Sequence, residues 1–122
     1  MMIKLKRAYE KAAESDGYRI LVDRLWPRGL NKSEASVDLW LRDIAPSEQL
    51  RKWFSHDATK WPEFKQRYLE ELTTKETLVR QVVEKAATSA VTLVYAAHDA
   101  QHNNAVVLRE HIEIALGISI NA

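Results

Sequence analysis

Cysteine is absent from the chain, which removes disulfide frameworks, thiolate metal sites and cysteine nucleophiles together. Only three glycines occur in 122 residues, and no Gly-rich phosphate loop, dinucleotide fingerprint, serine elbow or paired metal motif is formed from them or around them. No stretch approaches the roughly 20 apolar residues of a membrane span. The basic start Met-Met-Ile-Lys-Leu-Lys-Arg lacks the apolar core of a secretory signal, so a cytoplasmic protein without membrane association is expected. Nor does one sign of charge dominate. The 18 Lys and Arg against 17 Asp and Glu leave +1, which argues against a strongly basic nucleic-acid binder. Whatever chemistry the chain performs must run on His, carboxylate, Arg, Lys, Tyr or hydroxyl groups.

What is present suits one domain over residues 1–122, since 46% of the residues are hydrophobic and the length supports one core and not two. Ile3 and Leu5, with Lys4 and Lys6 between and beyond them, read as a short strand, and Glu14-Ser-Asp-Gly17 as a turn. Tyr18 to Asp23 reads as a second strand whose Ile-Leu-Val centre suits burial on both faces of a parallel sheet. Val37 to Ile44 fits either period, and its shortness before Ala45-Pro46 favours a strand. Pro46 is expected in the first turn of a helix carrying Leu50, Trp53 and Phe54. Trp61, Phe64, Tyr68 and Leu72 share one helical face. Thr73 and Glu76 have the spacing of a capping box, predicting a new helix that buries Leu78, Val82, Val83 and Ala86. Val91 to Ala96 reads as a strand. Ala105, Leu108, Ile112 and Ala115 mark a last helix ending at Gly117. This order predicts an α/β domain, a small mostly parallel sheet flanked by helices.

In such sheets ligands bind beyond the carboxyl ends of the strands. Two charged loops fall there: Asp23 to Gly29 after the second strand, and His98 to Asn104 after the last. Residues 1–34 hold eight Lys and Arg against five Asp and Glu, an excess of +3, while the remainder holds ten against twelve, −2. The basic excess therefore lies with the first loop. Arg24 and Arg28 are guanidinium forks that match phosphate or carboxylate, and Trp26 offers a surface for a ring. Alternatively Asp23 pairs with an Arg, and Trp26 with Pro27 plugs the core.

In the second loop Asp99 can cap a helix by accepting from the N–H of Gln101 or His102. His102 is a candidate acid or base, and Asn103 and Asn104 open a helix whose N-terminal end favours an anion. His98 and His102 have metal-like spacing, but no third ligand is specified, so no metal is expected. His56-Asp57 resembles a base oriented by a carboxylate, although Asp57 equally suits a helix start.

Gly17-Tyr-Arg-Ile-Leu-Val-Asp-Arg-Leu-Trp-Pro-Arg-Gly-Leu30, Trp40 to Ser47, Leu50 to Phe54 with His56-Asp57, and Thr92 to Ala97 through Asp99 and His102-Asn-Asn-Ala105 together resemble the YeaO-like bacterial proteins. These form a short branch of a family named only as a domain of unknown function. The resemblance spans essentially the whole chain. It implies a small cytoplasmic α/β domain, brings no established activity or cofactor, and groups Asp23, Arg24, Trp26, Arg28, Asp99, His102 and Asn103. Family members resemble one another in carrying Lys where this chain has His98, which weakens His98 as a ligand. The expected function is small-molecule binding or catalysis at an anion site. Asp23 and His102 with Asp99 would orient ligand or move protons, while Arg24, Trp26, Arg28 and Asn103 would bind a nucleotide-like or other anionic molecule. The alternative is a nucleic-acid- or protein-binding module without catalysis.

Overall fold

Val91-Thr-Leu-Val-Tyr95 becomes the heart of the sheet because all five residues are buried, with β-branched and aromatic side chains that pack well on a pleated surface. The computed structural model describes residues 3–117. Its strands are β1 (Ile3–Arg7), β2 (Tyr18–Leu21), β3 (Leu39–Trp40) and β4 (Val91–Tyr95). The helices are α1 (Lys32–Ala35), α2 (Glu48–Phe54), α3 (Trp61–Leu72), α4 (Glu76–Thr88) and α5 (Asn104–Ala115). The sheet order is β1-β4-β2-β3, and every pairing is parallel. The expected α/β architecture is thus present, and no helix among the described residues is long and apolar enough to cross a membrane.

Period-2 alternation distributes the strand side chains between two faces. Ile20, Val22, Val91, Leu93 and Tyr95 join the main core with Phe64, Tyr68, Val82, Leu108 and Ile112 from α3, α4 and α5. Leu21 and Val94 point the other way, where Trp26, Leu30 and Val37 cover them. On that second side Arg19, almost fully buried, holds α1 through the carbonyl of Ala35 and is neutralised by Asp16 at 2.7 Å.

Three local expectations give way. Pro46 lies just outside α2 because Ser47 supplies the capping oxygen to Leu50 N–H, and the Glu71 carboxylate accepts from both the N–H and the hydroxyl of Ser47. Thr73 ends α3 instead of starting α4. Its helical φ of −63° and ψ of −23° do not suit an N-cap, and its hydroxyl donates back to Glu70 O. The buried stripe of α4 is Val79, Val82 and Ala86, with Leu78 and Val83 half-buried at its margins. The ambiguous segment splits the difference. Only Leu39 and Trp40 are strand, and a 3-10 turn over Arg42–Ile44 then buries Leu41 and Ile44 together.

That turn is pinned from α3, where the fully buried Tyr68 hydroxyl donates to Ile44 O at 2.8 Å. Tyr68→Phe removes the donor and strands the carbonyl. It is expected to lower unfolding free energy by about 1–2 kcal/mol in urea titrations with little change of slope. A neutral effect would show that water reaches Ile44 O.

A cleft at the carboxyl ends of the central strands

β2 and β4 lie side by side in the middle of the sheet, yet the chain leaves them in different directions: from β2 toward edge strand β3, from β4 into α5, which packs on β1 and β4. A crevice opens where such connections diverge. Here it is a cleft of about 630 Å³, within the range of small-ligand sites. Asp23, Arg24, Trp26, Arg28, Asp99, His102 and Asn103 all line it. The two loops read from the sequence therefore meet.

Asp23 follows β2 and forms part of the floor. Its Oδ2 accepts from Ala96 N–H at 2.9 Å and its Oδ1 from the Asn104 amide at 3.1 Å, so no arginine is needed to satisfy it. Burial pushes its carboxyl above the ordinary range, against the downward pull of these two donors and of His56. The sign of the linked stability follows directly. An acid whose folded pKa is raised binds more protons folded than unfolded, so its contribution falls as pH climbs from the unfolded value of 3.8 through the raised value. Urea unfolding of the parent and Asp23→Asn, followed as pH is raised from the unfolded value of 3.8, should show the parent losing stability relative to the variant. Parallel pH profiles would contradict the assignment.

Arg24 is tethered. Its Nε donates to Pro46 O at 3.2 Å and its Nη2 reaches Ala45 O at 3.5 Å, so the guanidinium braces the turn before α2 while keeping its charge. Arg28 is exposed, and the loop carrying it is anchored through its backbone carbonyl, which accepts from Tyr9 Oη at 2.8 Å. Trp26 is partly committed: its indole N–H donates to Leu30 O at 2.7 Å and its ring meets Trp40 edge-on. Trp40 in turn donates to Asp23 O at 2.8 Å, fixing the backbone at the strand end.

On the opposite loop, Asp99 accepts from the N–H groups of Gln101 and His102 through Oδ1 and meets His102 Nδ1 at 2.8 Å through Oδ2. The Gln101 N–H, and then the imidazole, hold the Asp99 carboxyl below its usual range. The carboxylate fixes one ring nitrogen of His102, and Trp61 stands edge-on to the ring with centroids 5.2 Å apart. His102 nevertheless precedes α5, and Asp99 caps this turn and not the helix. The N-cap of α5 is Asn103, whose oxygen accepts from Val106 N–H while its amide donates to Asp99 O. Both ends of that buried side chain are thereby engaged, leaving it to hold the loop on the helix.

His56 also lines the cleft, but Asp57 does not orient it. Asp57 Oδ1 accepts from the N–H and hydroxyl of Thr59. The ring is aimed instead by the backbone, which turns left-handed at Ser55 and again at His56, with φ of 45° and 57°. Arg51, Tyr9 and His98 add to the polar lining, with Phe54 and Phe64 adding an apolar wall. Neither Arg51 nor Tyr9 was singled out from sequence. Arg51 is one more exposed cation on a short helix, and only the packing of α2 against α3 brings it here.

The described residues contain no group of three or more His, Asp or Glu arranged to hold a metal ion. Among them Arg24, Arg28 and Arg51 enter no ion pair.

The family model described as "Inactive DUF488-N3 subclade" matches residues 2–119. The uncharacterized protein YeaO of Escherichia coli K12 is 42% identical over 110 residues, spanning 90% of this chain and 96% of YeaO. Uncharacterized proteins of Mycobacterium tuberculosis H37Rv (Rv3073c) and Mycobacterium bovis (Mb3100c) are each 37% identical over 108 residues, spanning 88% of this chain and 91% of theirs. No solved structure matches. The match over nearly the full length shows that the chain belongs to the YeaO-like DUF488 family, in the DUF488-N3 subclade described as inactive.

Proposed function

We propose that the protein binds a small phosphorylated or carboxylated organic molecule in this cleft, without covalent catalysis. The observation that carries the reading is charge left without compensation. Arg24, Arg28 and Arg51 surround one cleft with no carboxylate partner, while its two carboxylates, Asp23 and Asp99, accept instead from backbone N–H groups, Asn104 and His102. Guanidinium groups so placed attract an anion and can grip it bidentately. No cysteine exists, and no serine or threonine lines the cleft, so a thiol or aliphatic hydroxyl nucleophile is not offered there. The description of the subclade as inactive agrees with binding without turnover. The Asp99–His102 pair then presents to the ligand an imidazole held in one orientation.

Thermal unfolding in the presence of nucleoside monophosphates, sugar phosphates and dicarboxylates tests this, with sodium chloride at matched ionic strength as control. A ligand at a hundred times its Kd should add about 2.7 kcal/mol of stability and raise Tm accordingly. If all of these compounds leave Tm where the chloride control puts it, the anion-site reading fails.

A further inference from the structure

Asp23 gives the cleft a polarity that anion binding alone does not require. Four lone-pair directions belong to an ionised carboxylate, and Ala96 N–H and the Asn104 amide occupy one on each oxygen. One acceptor direction per oxygen therefore remains on a side chain that forms part of the cleft lining. The cations sit differently. Arg28 and Arg51 are exposed, whereas Asp23 is sunk beside the buried end of β2. A ligand that puts its anionic group among the guanidinium groups must present hydrogen-bond donors, not another anion, to Asp23. An ammonium donor would suit the carboxylate but meet the repulsion of three arginines, so neutral donors fit better.

Resting on the anion-site reading, we propose that the cleft selects a phosphate ester carrying two neighbouring hydroxyl groups, a ribose or ribonucleotide phosphate. The phosphate lies at Arg28 and Arg51, and the diol donates to the two oxygens of Asp23. The apolar wall of Phe54 and Phe64 suits the carbon face of such a ligand. The carboxylate also supplies selectivity, because an analogue lacking one hydroxyl forfeits a charge-assisted hydrogen bond to it.

Isothermal titration of the full chain with AMP, dAMP, ribose 5-phosphate, 2-deoxyribose 5-phosphate and inorganic phosphate separates the claims. The parent should bind each ribose compound at least about tenfold more tightly than its 2-deoxy counterpart. Asp23→Asn should flatten that preference, and inorganic phosphate should bind it no more weakly than it binds the parent, since a like charge has left the cleft. Equal affinity for the ribose and deoxyribose members of both pairs overturns the diol proposal and leaves the anion site standing. Failure of all five compounds to bind overturns both. The parent's own discrimination decides the question even if Asp23→Asn does not fold.

Discussion

Replacing Arg28 with alanine is expected to weaken binding of a phosphorylated ligand by roughly ten- to a hundredfold, the value of one charge-assisted hydrogen bond. The folded protein should be about as stable as before. The side chain is exposed and enters no ion pair among the described residues, so nothing structural is lost, and surface changes of this kind stay within about 0.5 kcal/mol. Arg28→Lys should recover only part of the affinity, because an ammonium cannot make the paired contacts of a guanidinium. Arg24→Ala would behave differently, losing both affinity and stability, since Arg24 also braces the carbonyls of Ala45 and Pro46. Binding and urea unfolding measured on both variants distinguish the two roles. Unchanged affinity in Arg28→Ala would remove that residue from the site.

The second large effect lies at the other end of the sheet. Gly17→Ala is expected to cost about 3 kcal/mol or more, because it combines a backbone conformation that L residues rarely adopt with a direct collision. Gly17 has φ of 67°, and an added Cβ would stand 2.4 Å from Ala90 O. That oxygen accepts from Tyr18 N–H at 2.9 Å, the bond that begins the pairing of β2 with β4. The collision would therefore push on the register that carries Asp23 to the cleft. A Tm within a degree or so of the parent would mean that this turn adapts far more easily than its geometry implies.

How much of this was visible in the residues depends on how local the cause is. The Val91–Tyr95 strand and the Trp61–Leu72 helix are written in unbroken periodicity, and both formed where expected. The two loops were legible because charges crowd at strand ends. Their meeting followed from a parallel sheet, which sends both carboxyl ends the same way. Most of what the residues did not show is non-local. Ser47 caps α2 with help from Glu71, which lies 24 residues onward. Arg51 reaches the cleft by helix packing alone, and Asp23 found its partners across the sheet at Ala96 and Asn104 rather than in the arginines beside it. The apparent His56-Asp57 pair dissolved because Thr59 competes for the carboxylate from two residues away.

The central claim is that an anion binds beyond the carboxyl ends of β2 and β4. Titrating inorganic phosphate and AMP into the isotopically labelled chain and following backbone amide shifts tests it most directly. The account predicts progressive, saturable shifts confined to residues 23–29, 51–56 and 96–104, with the amides of Gly17 and Ala90 unmoved at the opposite end of the sheet. Shifts centred on Gly17 and Ala90, or a spectrum that responds to neither compound, would contradict it.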